Sequence, residues 1–283
     1  WSTGFRAPSL SELGAGTSLG SNYIDCGNNT PFSSLCGSFG NQAGELEYDQ
    51  ETIGNMGLEA ENSEAMNIGL SWNLTDNLNM TVDYWRYDHT DIVDVDANTT
   101  LKACIDGTAP KVTSEAALAG AFGCVMDAEG DLIFLRTGFF NVGSQETDGV
   151  DIKLNYRLDT DNAGRFDFYA NATKTLSYER QITPDSEKQD LLGKLSGAAE
   201  IARPEFVADF GADWSLQNWS ASMSAHYISS LGDGDFKFDN DTVDSWLVLS
   251  SSLGYDISDN QSVLLSVRNL TDKKPPYASS PTN

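Results

Sequence analysis

Val150-Asp151-Ile152-Lys153-Leu154-Asn155-Tyr156-Arg157-Leu158-Asp159 alternates apolar and polar residues without a break. Successive side chains point to opposite faces only in a strand, and a period of two cannot come from a helix. Thr160-Asp161-Asn162-Ala163-Gly164 then supplies turn chemistry, since Asn and Asp bond their own backbone and Gly adopts positive φ. The returning arm puts Phe166, Phe168, Ala170, Ala172, Leu176 and Tyr178 on one face and Arg165, Asp167, Asn171, Thr173, Thr175 and Ser177 on the other. The stretch from Asn141 to Tyr178 thus reads as one long hairpin with opposite chemistry on its two faces. Strands of soluble sandwiches run to about 5 to 6 residues, and these arms are roughly twice that. A tilted crossing of a bilayer needs about 9 to 11 residues per strand. The alternation therefore predicts that Val150, Ile152, Leu154, Phe166 and Phe168 face lipid, with Asp151, Lys153, Asn155 and Asp167 facing the lumen.

Working outward, the same pattern recurs. Met66, Ile68, Leu70, Trp72 and Leu74 answer Leu78, Met80, Val82 and Tyr84 across Thr75-Asp76-Asn77, and Trp85, Tyr87 and His89 extend the arm. Phe206 to Leu216 turns at Gln217-Asn218 into Trp219 to Tyr227, and Leu247 to Ile257 turns at Ser258-Asp259-Asn260 into Val263 to Val267. Nine strands are expected, at roughly 1–6, 63–74, 77–93, 136–159, 165–182, 203–216, 219–231, 245–257 and 261–270. Short helices are expected from a cap at Ser114 and over 187–195. Short turns alternate with long loops, and Trp72, Tyr84, Trp214, Trp219 and Tyr255 stand at strand ends as interfacial girdles require. The fold class expected is all-β: an antiparallel transmembrane β-barrel segment with short periplasmic turns and long extracellular loops.

Composition narrows the function. Forty-two acidic residues against 17 basic ones give a net charge of −25, which argues against nucleic-acid binding, because phosphates must be neutralised by clustered Lys and Arg. No apolar run approaches the roughly 18 residues of a membrane helix. The sequence opens at Trp1 without a visible signal peptide. Cys26 and Cys36 lie in one loop and Cys104 and Cys124 in another. Of the three pairings open to four cysteines, the two local ones close loops without crossing a strand, and they imply an oxidising compartment.

Several segments match a known family in order and spacing. Gly4-Phe5-Arg6-Ala7-Pro8-Ser9-Leu10-Ser11-Glu12-Leu13, Leu58-Glu59-Ala60-Glu61-Asn62-Ser63, Asp83-Tyr84-Trp85, Asn141-Val142-Gly143 with Gly149-Val150-Asp151, Arg203-Pro204 and Arg268-Asn269-Leu270-Thr271-Asp272 together resemble TonB-dependent receptors of the Gram-negative outer membrane. The resemblance spans Gly4 to about Tyr277. It implies a C-terminal portion of a barrel of about 22 strands whose lumen is plugged. Plug, TonB box and closing strand would lie outside this sequence, so the segment should form a curved sheet with two open edges. It also implies outer-membrane lipid, a TonB–ExbB–ExbD complex and a small-molecule substrate, either an iron siderophore or a carbohydrate, as partners, with no nucleic acid, cofactor or resident metal.

Tyr23, Trp85, Tyr87 and Trp246 near loop bases offer rings for stacking on a substrate, and the interfacial anchor is the competing role, above all for Trp246. His89 joins them on the polar parity. His89 and His226 lack local metal-ligand spacing, and polar lumen positions account for both. Asp233, Asp235, Asp239, Asp241 and Asp244 crowd one loop, yet the EF-hand pattern fails at Lys237 and Phe238, which leaves a solvated acidic loop. Gly16-Thr17-Ser18-Leu19-Gly20 fits G-x-S-x-G but lacks the strand before and helix after that a nucleophile elbow needs. No catalytic residue is expected. Two other classes share the strand pattern: a passive porin, and a soluble all-β module that binds or processes glycans.

Overall fold

The computed structural model describes residues 1–25, 36, 45–181, 187–196, 201–233 and 242–276. Nine strands form one path in chain order: β1 Ser2–Arg6, β2 Glu61–Thr75, β3 Leu78–Val95, β4 Leu132–Thr160, β5 Gly164–Gln181, β6 Phe206–Leu216, β7 Trp219–Ile228, β8 Trp246–Ser258 and β9 Gln261–Val267. Every neighbouring pair on the path is antiparallel. The links β2–β3, β4–β5, β6–β7 and β8–β9 are tight turns at one rim, and the other four links are long. The long links lie at the other rim, and at the two edges of the sheet β1 and β9 end the path without pairing to each other, so the described sheet is open between them.

Register converts the alternation into two chemically distinct faces. Leu70, Val82, Ile152, Ala172, Ala208, Tyr227 and Leu247 lie opposite one another in a single row across seven strands. Nearer the short turns, Leu158, Phe166, Trp214, Ala221, Leu253 and Leu265 form another. The intervening rows belong to the opposite face and are polar, as with Arg157, Asp167, Asp213, Ser222, Ser252 and Ser266. Apolar rows run from the Tyr84–Val150 level down to the Trp219–Tyr255 pair, about ten residues along a strand. At about 3.3 Å per residue and a tilt near 40°, ten residues rise about 25 Å along the membrane normal, the height of a barrel's lipid belt. Above that level the outer face turns charged, with Arg86 opposite Asp148, then Glu64, Asp88, Glu146 and Glu179 in one row. At the lower edge Phe166 and Trp214 lie 6.5 Å apart, Trp219 and Tyr255 4.5 Å apart, and the Trp214 indole donates to Ala163 O at 2.7 Å.

The long loops are not structureless. Two of them build a small subdomain around the upper part of β4. Strand Glu45–Ile53 pairs parallel with Asp49 opposite Phe134, strand Ser18–Asp25 pairs with its other edge, and Gly123–Met126 flanks β4 from the opposite side. Helix α1 (Ala97–Asp106) closes the unit, capped by Asp96, whose side chain accepts from Asn98 N and Thr99 N, and ended by Gly107 in the left-handed region. Its buried Leu101 and Cys104 pack with Ile24, Cys36, Leu46, Tyr48, Cys124, Met126, Leu132 and Leu135 in a hydrophobic core. The Thr100 and Thr137 hydroxyls, both buried, bond each other at 2.9 Å, so neither is left unpaired. Cys104 and Cys124 form a disulfide with Cα atoms 6.2 Å apart; Cys36 is also disulfide-bonded, and its expected partner Cys26 lies outside the described residues.

The structure departs from three local expectations. Residues 94–132, between the expected strands 77–93 and 136–159, contain α1 in addition to the helix expected at Ser114. At Ser114 a single 3₁₀ turn, Glu115–Leu118, follows without a side-chain cap bond. The expected helix over 187–195 is replaced by short strands Gln189–Asp190 and Lys194–Ser196, because Gln189 and Asp190 extend the edge of β5 opposite Arg180 and Glu179. A second small sheet joins Ile201–Ala202, Lys194–Ser196, Leu231–Asp233 and Thr242–Val243. The acidic-loop residues Asp235, Asp239 and Asp241 lie outside the described residues, and among the described residues no cluster has the makings of a metal site.

Candidate ligand-binding facet

Odd-numbered residues of β3 belong to the polar face, so Asp83, Trp85, Tyr87 and His89 all point toward the lumen side. Trp85 stands level with the upper edge of the lipid belt and Tyr87 one row above it. Their rings lie 5.8 Å apart at 48°. With Asn67, Asp151 and Thr173 they line an open hollow of about 280 Å³. Gly149 is Trp85's cross-strand neighbour, and a Cβ there would fall 2.4 Å from Trp85 Cζ2, so only glycine lets the indole lie across β4. The Thr173 hydroxyl donates to Asp151 Oδ1 at 2.7 Å, fixing the carboxylate at the hollow's floor. Aromatic faces beside a few fixed polar groups are the usual make-up of a small-molecule site.

Above the facet, Arg6 ties the rim together. Its guanidinium donates to both Glu61 oxygens, at 2.8 and 2.5 Å, and to Glu12 at 3.0 Å, while Val93 N donates to Glu61 Oε1 at 2.8 Å. The hydrogen bonds from Arg6 hold the buried Glu61 carboxyl down at about 2. His89 Nε2 meets Glu61 Oε2 at 3.2 Å, so this ring belongs to the rim knot. The segments Gly4–Leu13 and Leu58–Ser63, separated by a long loop in sequence, meet at this one knot.

The remaining expected residues lie elsewhere. Tyr23 is on the outer strand of the loop sheet, 56% exposed, on the side away from the core residue Ile24. Trp246 shares a polar-face row with Asp83, Asp151, Thr173, Val207 and Ile228 but stands five strands from β3. Its parity turns it from the lipid-side girdle that the sequence allowed, and its indole N–H is buried without a partner. His226 Nδ1 bonds Asp209 at 2.7 Å on that same face, four strands from His89's strand, so the two histidines form no metal pair. Around Ser18 the order is a helical turn, Ser11–Ala15, followed by a strand, the reverse of a nucleophile elbow. Sequence reasoning missed Asn67 and Thr173, which reach the hollow only through strand register.

The sequence family described as TonB dependent receptor-like, beta-barrel, matches residues 1–270. The chain belongs to this family. Its members are transport receptors of the Gram-negative outer membrane, and the expected fold class, a partial barrel, is the one observed. Among solved structures, a mutant of the ferric enterobactin receptor PfeA from Pseudomonas aeruginosa superposes with a TM-score of 0.57 at 16% identity, covering 96% of this chain and 32% of that one. The FrpB iron transporter from Neisseria meningitidis gives a TM-score of 0.50 at 14% identity, covering 80% and 29%. At these identities the likeness is one of fold. The chain spans about a third of the length of the PfeA receptor. Comparison with curated proteins finds no match.

Proposed function

We propose that the chain forms part of the wall of an outer-membrane active-transport receptor, which binds a scarce nutrient, an iron siderophore or a carbohydrate, at its extracellular mouth and imports it with TonB-coupled energy. The observation that carries this reading is the Trp85–Tyr87 facet: paired rings on the lumen face at the upper edge of the lipid belt, backed by a glycine and a fixed carboxylate. A passive porin shares the belt, but family membership favours the receptor. The chemistry in this reading is binding and release, with lipid on one face and a small molecule on the other.

The test uses the full receptor that contains this chain, expressed in its host. Nutrient uptake should stop when the inner-membrane proton gradient is collapsed, and Trp85→Ala should raise the half-saturating concentration about tenfold, the loss of about 1.4 kcal/mol of stacking. Uptake that continues unchanged without the gradient would show a passive pore instead.

A further inference from the structure

We propose that the Trp85–Tyr87 facet selects a neutral, hydroxyl-rich ring, a saccharide, over an anionic iron–catecholate complex. This deepens the receptor reading and rests on the facet being a ligand contact. The shape comes first. Tyr87 is 52% exposed, and the 48° tilt between the rings makes a shallow cleft open to the lumen, suited to the C–H-rich faces of a pyranose. Around it stand an amide, a hydroxyl and a carboxylate, from Asn67, Thr173 and Asp151. A carboxylate accepts through several lone pairs, so Asp151 can take a ligand hydroxyl while holding Thr173, and Asn67 both donates and accepts. A polyol needs that mixture.

Charge decides between ligand classes. The row through Trp85 (Asn67, Trp85, Gly149, Thr175) and the row below it carry Asp83 and Asp151 and no basic residue. A multiply anionic iron complex seated on the rings would lose water against two carboxylates, and like charges so placed repel. Basic groups on this face lie outside those rows. Lys153 is one row further down, Arg180 pairs with Asp94 at 3.1 Å two rows above Trp85, Arg6 is taken up by Glu61 and Glu12 at the rim with His89 against Glu61, and Arg203 lies over the Tyr178 ring. A cation would suit the carboxylates, but rings splayed toward the lumen do not enclose one as an aromatic cage does. A second observation points the same way: the lumen face of β7 and β8 is a hydroxyl ladder, with Ser222 and Ser252 bonded at 2.6 Å and Ser220, Ser224 and Ser250 beside them. A wall of neutral hydroxyls exchanges hydrogen bonds with a sugar at little electrostatic cost.

The experiment uses the full receptor in lipid nanodiscs and measures equilibrium binding by tryptophan fluorescence and calorimetry. The probes are neutral hexasaccharides of glucose, xylose, mannose and galactose, an iron tris-catecholate complex, and tetramethylammonium. At least one hexasaccharide should bind. Trp85→Ala should weaken that binding about tenfold or more and Trp85→Phe about threefold or less, since the phenyl ring keeps a stacking face. Retained heat-modifiable mobility on gels checks that each variant barrel is folded. Binding of the iron complex or of tetramethylammonium alone, weakened by Trp85→Ala, would overturn the saccharide while leaving the facet reading intact. Hexasaccharide binding indifferent to Trp85→Ala would overturn the facet reading itself, and failure of all the hexasaccharides to bind would overturn the saccharide.

Discussion

Strand β4 passes through two solvents. Over Leu132–Gly138 it is the central strand of the loop subdomain, with Leu132, Phe134, Leu135 and Thr137 buried. Over Val150–Leu158 it is barrel wall, where Ile152 and Leu158 are 41% and 37% exposed on the outer face. The same backbone geometry thus serves a core that excludes everything and a belt that requires lipid. In the subdomain a helix and flanking strands supply the apolar partners; along the wall the bilayer must supply them, because the lumen face is polar. The wall is therefore incomplete without its solvent, and the subdomain is self-packed.

Leucine truncation should separate the two regions most strongly. Leu135→Ala removes a fully buried side chain, leaves a cavity and should cost about 3 to 5 kcal/mol, because surrounding atoms relax only in part. Leu154→Ala loses only the transfer of a few methylenes, about 2 kcal/mol, since lipid chains flow into the space. Leu154→Arg should cost about 2 to 4 kcal/mol near the midplane, while Asn155→Arg on the lumen face should cost little. Denaturant titration of the receptor refolded into vesicles, with hydrogen exchange resolving the loop, measures both sites. Equal costs for the two alanines would mean that the wall is packed against protein where lipid is expected.

Next comes the covalent tie, which exists in the subdomain alone among the described residues. Cys104–Cys124 spans 20 residues, and a loop of that length stabilises by about 3 kcal/mol in the chain-entropy account. Cys104→Ala with Cys124→Ala should expose α1 to proteolysis and leave the protection of β5 to β7 unchanged. Loss of barrel protection as well would show that the two regions fold as one. Peptide mapping without reductant should find Cys26 joined to Cys36.

How far these regions were legible in sequence follows from how local their physics is. The wall repeats one rule every two residues, and Val150 to Leu158 states it without exception. The subdomain depends on pairing at a distance: Asp49 to Phe134 is a parallel contact between segments far apart in sequence. Helix α1 carries two threonines and an asparagine in its first turn, poor helix formers, and is held by Asp96 and its buried face. Glu187 to Leu195 has helical spacing, yet an open strand edge at Arg180 captured part of it. At the facet, parity alone assigned Trp85 and Tyr87 to the polar side. Asn67 and Thr173 came from register, and the one local hint of it was the glycine at 149, opposite the tryptophan.

The smallest expected effect lies at the junction, where Glu61 joins β1, β2 and the approach to the subdomain. Its carboxyl is held at about 2 instead of its usual 4.5, chiefly by the Arg6 hydrogen bonds. Below pH 4.5 an unfolded chain takes up a proton that the folded one refuses, so the contribution is complete above 4.5 and is lost as pH falls toward 2. Glu61→Gln removes the titration and should flatten that part of the acid profile, with Arg6 half-exposed and solvent screening keeping the change modest. Val93 N, which donates to Glu61 Oε1, reports the event: its hydrogen exchange should quicken between pH 4.5 and 2 relative to neighbouring amides in the wild type. In Glu61→Gln that relative protection should be weaker at every pH and should not vary through the same window. If wild type and variant instead follow one profile, the Arg6–Glu61 pair is not what joins the wall to the loops above it.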